Sequence, residues 1–382
     1  MPTARTPCPV RPGSLVSGLG LAMSVLALAG CVTDPANARS LAMPTPLWSV
    51  GAPFATSNIL ADVGGTLLVQ TDSLVAINAV AGIGPAGSVR WKVALGSLPL
   101  GGVQLAVSGN RVVFSGSVLQ TLDLNTGAVL YTDPAGTVTS LGSTDGTNVF
   151  VARSAPAYRL QSLSPTGAIA WSTPLDSVCP AGCRFAGTAV SGDTVYLAGS
   201  VGATVATNAL VMAFSRTTGN ELWRKIDATI DTTFAFRPVV SGKQLVLVTT
   251  TGLAAYALNR ATRAVTWQRQ GIGSPISLTP VAAGDVVLLM APFGGEAISA
   301  DSGITVWSVS GAAPIVQATA CPGSITVASA NALLVVERTS GRTLNGIEVA
   351  AFGGGNGSVG AGNGRLYLST AGGPRLAAYP CP

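Results

Sequence analysis

Cysteines are the residues whose spacing in this chain suggests chemistry most directly. The sequence has six, and four of them lie in the main body of the chain, at Cys179, Cys183, Cys321 and Cys381. Only Pro-Ala-Gly separates Cys179 from Cys183, which favours a local disulfide bridge. Cys321 and Cys381 are paired as a hypothesis, and a metal site is the alternative. Since zinc held by cysteines alone needs more closely grouped ligands, we predict disulfides and no metal.

Catalytic groups are scarce by comparison. The chain has no histidine, which removes the commonest general base, the commonest metal ligand and the Ser-His or Cys-His nucleophile pairs. Its sixteen acidic residues could supply a pair of carboxylates, but no motif groups them. We therefore predict a protein that is not an enzyme, with no catalytic residue and no cofactor.

The first thirty residues have the features of an export signal. Arg5 and Arg11 precede an apolar segment, Leu15 to Leu28, that is too short to span a membrane as a mature helix. Leu28-Ala29-Gly30-Cys31 follows and resembles the lipobox of bacterial lipoproteins, in which the cysteine is lipidated and becomes the first residue. The sequence thus predicts a signal peptide over 1–30, lipidation of Cys31 and a lipidated tether over 31–46.

Such a lipid anchor implies a location. Several acyl chains would hold the protein stably on a bilayer surface. Val32 follows the cysteine, where no aspartate is found, and the resemblance therefore implies the outer membrane, facing the periplasm. Export would also place the four remaining cysteines in an oxidising compartment, where disulfides persist.

The charge of the chain is low. Only 10% of its residues are charged, and the chain without Arg5 and Arg11 has 19 basic and 16 acidic residues, a net charge of +3. No run of Lys or Arg is present, so binding to nucleic acid is disfavoured. We interpret the pI near 9 as a small imbalance and not as a basic patch.

A repeated unit dominates the rest of the sequence. Short segments rich in Val, Ile, Leu and Thr are separated by turn residues, which predicts strands, and no window has the period and the caps of a helix. A glycine followed by a polar residue opens one strand of each unit. Eight copies begin at Gly65, Gly109, Gly146, Gly192, Gly242, Gly284, Gly323 and Gly364. Their spacing of roughly 37 to 50 residues is close to that of a four-stranded propeller blade.

An aromatic residue recurs at one position of nearly every unit. It follows a turn, usually Thr-Gly or Ser-Gly, with the second turn residue four positions earlier. The aromatic residues are Trp48, Trp91, Tyr131, Trp171, Trp223, Trp267 and Trp307, and Asn345 takes the corresponding place after Ser340-Gly341. Because they are spread evenly over the units, we predict that they dock neighbouring blades, and not that they stack on a cofactor in one pocket.

The two ends of the repeat complement each other. The last unit has its middle strands but no aromatic-bearing outer strand, whereas Pro46 to Val50 is such a strand without a unit before it. Joining them predicts an all-β, eight-bladed β-propeller over 47–382, with four-stranded antiparallel blades and a last blade shared by the N- and C-terminal strands. In this arrangement Cys321 and Cys381 end strands on the same face of adjacent blades.

The repeat resembles a known family. The pattern Ala/Thr-x-Asp/Asn/Ser-x-x-Thr/Ser-Gly-x-x-x-Trp is best preserved in 121–131, 213–223 and 297–307, and it is similar to the tryptophan-docking repeat of the quinoprotein-like (PQQ-like) propellers. One branch, the quinoprotein alcohol dehydrogenases, binds pyrroloquinoline quinone and calcium and carries an adjacent Cys-Cys pair. No two cysteines are adjacent here. The other branch, the BamB lipoproteins of the outer-membrane β-barrel assembly machinery, resembles this chain in lipobox, size and number of blades.

These features predict a function class. The main hypothesis is a membrane-anchored scaffold that binds a protein partner in the bacterial cell envelope through its blade-connecting loops, with the barrel-assembly machinery as one candidate. The alternative is a surface propeller that binds a glycan or a small ligand in its central funnel. A quinone-dependent dehydrogenase is the third hypothesis.

Overall fold

Short apolar segments between glycine turns form strands, and the described part of the chain contains 33 of them. The computed structural model describes residues 32–33, 45–51, 56–63, 65–71, 79–94, 104–108, 110–115, 119–133, 138–140, 142–154, 157–164, 166–202, 208–227, 238–249, 254–270, 280–291, 294–310, 315–329, 332–348, 357–370 and 375–381. No helix is present among them, and so none that could span a membrane. The predicted signal peptide, Cys31 and most of the predicted tether lie outside the described residues.

Eight four-stranded sheets account for nearly all of the strands. Two short strands come first, β1 (Val32–Thr33) and β2 (Trp48–Gly51). Blade 1 comprises β3 (Thr56–Val63), β4 (Thr66–Thr71), β5 (Ala79–Ile83) and β6 (Val89–Ala94). Blade 2 comprises β7 (Gln104–Ser108), β8 (Arg111–Ser115), β9 (Leu119–Asp123) and β10 (Val129–Thr132). Blade 3 comprises β11 (Val138–Ser140), β12 (Val149–Arg153), β13 (Arg159–Leu163) and β14 (Ile169–Pro174). Blade 4 comprises β15 (Cys183–Ser191), β16 (Thr194–Val201), β17 (Asn208–Ser215) and β18 (Glu221–Asp227).

The second half of the ring repeats this order. Blade 5 comprises β19 (Val239–Ser241), β20 (Gln244–Val248), β21 (Ala254–Asn259) and β22 (Val265–Gln270). Blade 6 comprises β23 (Val281–Ala283), β24 (Val286–Ala291), β25 (Gly294–Ser299) and β26 (Thr305–Ser310). Blade 7 comprises β27 (Ile315–Ala320), β28 (Ser324–Ser329), β29 (Ala332–Glu337) and β30 (Thr343–Glu348). Blade 8 comprises β31 (Gly357–Gly362), β32 (Arg365–Thr370), β33 (Arg375–Pro380) and the early strand β2.

The blades are antiparallel and arranged in a ring. Within each blade the strands pair in chain order, and blade 6 carries β1 as a fifth strand, parallel to β26. First strands of neighbouring blades contact each other at most junctions, including β3 with β7 and β27 with β31. Contacts between β3 and β31 join blade 1 to blade 8, which confirms the predicted all-β, eight-bladed propeller.

Pairing of β2 with β33 closes the ring. Trp48 lies opposite Ala378 and Gly51 opposite Arg375 in an antiparallel ladder. The backbone N–H of Leu47 extends the ladder by donating to the carbonyl of Ala378 at 2.7 Å. The predicted closure of the last blade by strands from both parts of the chain is therefore confirmed.

Apolar side chains are buried between neighbouring blades. In one cluster Phe150 and Leu160 of blade 3 pack with Leu197 and Leu210 of blade 4. In another, Val69 of blade 1 packs with Tyr367 of blade 8. A blade buries its faces only against its neighbours, so the ring is the unit that forms a core.

Antiparallel alternation gives the ring two different ends. Turns from first to second strand and from third to fourth strand lie at one end, which we call the turn face. Connections from second to third strand and from blade to blade lie at the other end, the loop face. Most residues of the loop-face connections lie outside the described ranges.

Two disulfides join the four body cysteines. Cys179 is bonded to Cys183, with their Cα atoms 5.3 Å apart, in the connection between blades 3 and 4. Cys321 is bonded to Cys381, with their Cα atoms 5.8 Å apart. Cys321 follows β27 and Cys381 follows β33, so this second bond links blade 7 to the closing blade.

Removing the two disulfides separately should have unequal effects. In the chain-entropy model, a closed loop of about 60 residues contributes roughly 4 kcal/mol, and a loop of about four residues roughly 2 kcal/mol. We therefore expect Cys321→Ser/Cys381→Ser to lower the free energy of unfolding about 2 kcal/mol more than Cys179→Ser/Cys183→Ser. Urea unfolding of both double variants under non-reducing conditions measures this difference, and equal losses would contradict it.

Candidate functional site: docking aromatics and a cationic interaction surface

Every aromatic residue singled out by the repeat lies on the fourth, outermost strand of its blade. Four indoles donate their N–H to a backbone carbonyl in the third-to-fourth-strand turn of the next blade. These bonds run from Trp91 to Leu124 at 2.9 Å, and from Trp171 to Arg216, Trp267 to Ala300 and Trp307 to Arg338 at 2.8 Å. The same contact thus recurs at four junctions of the ring.

The turn that receives each indole requires glycine for two reasons. Gly127 has φ of 72°, in the left-handed region that glycine adopts without cost. A Cβ atom at Gly127 would also lie only 2.6 Å from the Trp91 ring. Gly219 repeats both features, with φ of 72° and Trp171 at 2.5 Å. The glycine therefore both forms the turn and leaves space for the neighbouring indole.

A carboxylate shapes the same turn in blade 2. Asp123 accepts hydrogen bonds from the backbone N–H groups of Thr126 and Asn125, both at 2.9 Å, and from the Thr126 hydroxyl. The backbone bond from Thr126 is the main cause that lowers the pKa of Asp123. The corresponding position in blade 1, eight residues before the tryptophan, is Ile83, which cannot accept these hydrogen bonds through its side chain.

Four junctions depart from this contact. At the junction of blades 4 and 5, Arg263 stands where the docking turn otherwise has glycine, and its guanidinium carbon lies 5.8 Å from the centroid of the Trp223 ring. Tyr131 takes the tryptophan position in blade 2, and a Cβ atom at Gly167 would lie 2.3 Å from its ring. Trp48 packs against Tyr367 with ring centroids 6.0 Å apart, but its buried indole N–H has no hydrogen-bond partner among the described residues. Asn345 occupies the aromatic position in blade 7, and the disulfide between Cys321 and Cys381 bridges that junction instead.

Buried polar pairs also connect blades. Arg153 of blade 3 forms an ion pair with Asp133 of blade 2, and its Nε donates to the Gln161 carbonyl oxygen at 2.5 Å. Tyr367 of blade 8 donates its hydroxyl to Asp62 of blade 1. Burial is the first cause that raises the pKa of Tyr367, and this hydrogen bond adds to it. Each of these groups has its partner inside the ring, so we assign them to structure.

The described residues do not fit a quinone and calcium site. No three of their Cys, Asp or Glu side chains are grouped as metal ligands. The indoles lie on outer strands between blades and are spread around the ring, where they cannot form the two sides of one cofactor pocket.

Charge is concentrated in blade 5, which corrects our interpretation of the pI. Between Asp231 and Asp285 the chain contains no acidic residue and five basic ones, at Arg237, Lys243, Arg260, Arg263 and Arg269. Arg269 forms an ion pair with Glu296 of blade 6 at 2.7 Å. The other three described residues, Lys243, Arg260 and Arg263, form no ion pair with a described carboxylate. We call these three residues the blade-5 cation cluster.

The cation cluster lies on the turn face. Lys243 is in the first turn of blade 5, and its carbonyl accepts the backbone N–H of Arg260, in the second turn, at 3.0 Å. Lys243 and Arg263 are exposed, and Arg260 is half-buried. Overall composition concealed this cluster, since acidic residues elsewhere nearly cancel its charge. A count of charge by repeat unit would have found it.

The fold and the tryptophan-docking repeat define the class of protein, an eight-bladed quinoprotein-like propeller. A family model described as outer membrane protein assembly factor BamB matches residues 71–210 and 207–378. The chain therefore belongs to the BamB family, as the repeat predicts. No curated protein matches the sequence significantly.

Solved structures share the fold at low sequence identity. BamB from Moraxella catarrhalis has a TM-score of 0.61 and 16% identity, over 88% of this chain and 99% of that chain. The computationally designed protein Ika8 has a TM-score of 0.64 and 12% identity, over 88% and 100%. Quinohemoprotein alcohol dehydrogenase from Comamonas testosteroni has a TM-score of 0.61 and 12% identity, over 88% and 76%. At these identities the similarity concerns the fold alone.

Alanine substitution of a docking glycine should separate its two roles. Gly127 and Gly364 share φ of 72°, but a Cβ atom at Gly364 would have no atom within 4 Å. Gly364→Ala therefore reports the backbone cost, about 1 kcal/mol. Gly127→Ala adds the clash with Trp91 and should cost about 1 to 3 kcal/mol more. Chemical denaturation of both variants measures the difference, and equal destabilisation would rule out close approach of the indole as the reason for glycine.

Proposed function

We propose that this protein is a non-catalytic scaffold of the bacterial cell envelope that binds a protein partner involved in outer-membrane protein assembly. The observation that carries the proposal is the match of the BamB family model over blades 1 to 8. A rigid ring with short turns at one end supports such a role, because it presents an ordered surface without requiring a catalytic pocket. The absence of histidine from the sequence agrees with a non-enzymatic role.

A lipid anchor is the second part of the proposal. The apolar segment and Leu28-Ala29-Gly30-Cys31 support cleavage before Cys31 and its lipidation. Residues 31–46 would then tether the propeller to the membrane, and Val32 in place of aspartate supports the outer membrane. The two disulfides agree with an exported protein, since such bonds persist in oxidising compartments.

Anchoring and assembly can be tested together in the native host. Deleting the gene should reduce the level of folded outer-membrane β-barrels, which is measured by their heat-modifiable migration in gels. Re-expression of the native chain should restore that level. Cys31→Ala should remove the acyl chains, leaving a protein that is extracted from membranes without detergent and restores folding poorly.

A matched control keeps the anchor and changes another cysteine. Cys179→Ser/Cys183→Ser alters two cysteines but leaves Cys31, and should remain in the membrane fraction. Unchanged barrel folding in the deletion strain would contradict the assembly role. Membrane retention of Cys31→Ala would contradict the lipid anchor.

A further inference from the structure

Blade 5 differs in charge from the rest of the ring. It carries Lys243, Arg260, Arg263 and Arg269 and no acidic residue, whereas the neighbouring blade 6 carries Asp285, Glu296 and Asp301 and no basic residue. Only Arg269 and Glu296 neutralise each other across this junction. We infer that the blade-5 cation cluster, Lys243, Arg260 and Arg263, is a docking surface for an acidic segment of a partner protein.

Neighbouring aromatic rings hold the two arginines in place. The Arg260 guanidinium carbon lies 5.8 Å from the centroid of Tyr196, and that of Arg263 lies 5.8 Å from Trp223. Both rings belong to blade 4, and their centroids are 6.2 Å apart. Arg260 also donates to the carbonyl of Gly242 at 2.6 Å. Each guanidinium group is thus positioned by a contact with blade 4 before any partner binds.

The fixed positions of the Arg260 and Arg263 guanidinium groups favour carboxylates as the ligand. Arginine presents its N–H donors in a planar fork that matches a carboxylate, and ordering the fork in advance reduces the entropy lost on binding. Exposed Lys243 lies beside Arg260 and adds a third positive charge without a fixed direction. An extended segment with several Asp or Glu side chains can contact all three cations.

The carboxylates of blade 6 favour a narrow protein segment over an anionic membrane as the ligand of the cluster. Asp285 and Asp301 are exposed in the turns of blade 6, and Asp301 accepts a hydrogen bond from Gln244, the residue after Lys243, at 3.5 Å. A broad anionic bilayer laid over blade 5 would also meet these carboxylates, which repel it. A narrow acidic segment can lie on the blade 4–blade 5 junction and avoid blade 6, so the charge pattern also restricts where the segment lies.

Arg263 shows that this junction departs from the repeat. It has φ of 63° at a position where the other docking turns have glycine. A side chain in this region costs on the order of 1 kcal/mol. The cation–π contact with Trp223 offsets part of that cost. The chain therefore keeps a positively charged side chain where glycine would fit the turn better.

The test uses the full-length lipoprotein in detergent and a fluorescently labelled oligoglutamate peptide as the probe. We expect fluorescence anisotropy to show binding that weakens as salt is added, because these charges are exposed and are screened. Lys243→Gln/Arg260→Gln/Arg263→Gln should weaken binding on the order of tenfold or more. The control Lys92→Gln/Arg159→Gln/Arg342→Gln removes the same residue types and the same charge from exposed positions in blades 1, 3 and 7, and should bind like the native chain.

A second variant guards against misfolding. Lys243→Gln/Arg263→Gly changes two exposed residues and gives the second turn its usual glycine, so it should melt like the native protein and still lose most of the binding. Equal binding by the cluster and control variants would overturn the inference. So would tighter, cluster-dependent binding to phosphatidylglycerol vesicles than to the peptide, because that result assigns the surface to lipid.

This inference rests on the proposed scaffold function, but the two can fail separately. If barrel folding is normal without the gene while oligoglutamate still binds at the cluster, the assembly role fails and the docking surface remains. If the cluster variant neither binds oligoglutamate less well than the control nor restores barrel folding less well, the assembly role remains and the docking surface fails.

Discussion

The fold depends on one contact, the indole of an outer strand packed on a turn of the next blade. A four-stranded sheet of this size cannot bury its own faces, so each blade is stable only between two neighbours. Burial of an indole, about 200 Å², is worth about 5 kcal/mol, and its N–H satisfies a turn carbonyl as in the Trp91–Leu124 pair. Glycine in that turn makes the approach possible. The Thr-Gly turn of one blade and the tryptophan of the preceding blade therefore form a single docking contact.

Where this docking contact lacks its tryptophan or its turn, a different interaction connects the two blades. Blade 8 draws its third and fourth strands, β33 and β2, from distant parts of the chain, so no short turn joins them to receive an aromatic side chain from blade 7. Blade 7 has Asn345 at that position, and the bond between Cys321 and Cys381 connects the two blades covalently. At the junction of blades 2 and 3, Tyr131 replaces the indole, and the buried ion pair of Arg153 with Asp133 supplies a further contact.

Sequence periodicity predicted most of the fold because the repeat is a direct consequence of docking. Turn glycines, outer-strand aromatic residues and the shared last blade all follow from residues that must be in contact. The docking turn of the first unit departs from the pattern, because Ile83 and Ala86 stand where most of the other units have polar turn residues. The cation cluster was missed for another reason. Its members come from two turns separated by two strands. The net charge of the whole chain does not show which blade carries the positive charge.

Because the overall charge of the chain is low, three cations on one blade are enough to make that blade the preferred site for an acidic segment. With 10% of residues charged, few competing sites on this ring attract an acidic segment, and the field near blade 5 is not masked by mixed charges on the same blade. Ordering of Arg260 and Arg263 on Tyr196 and Trp223 links that surface to docking, since Trp223 is itself the outer-strand aromatic residue of blade 4. A partner that pulled Arg263 away from the ring would weaken a contact between blades. Binding that instead leaves both guanidinium groups stacked adds to the stability of the junction, so the docking repeat and the interaction surface constrain each other at the same residues.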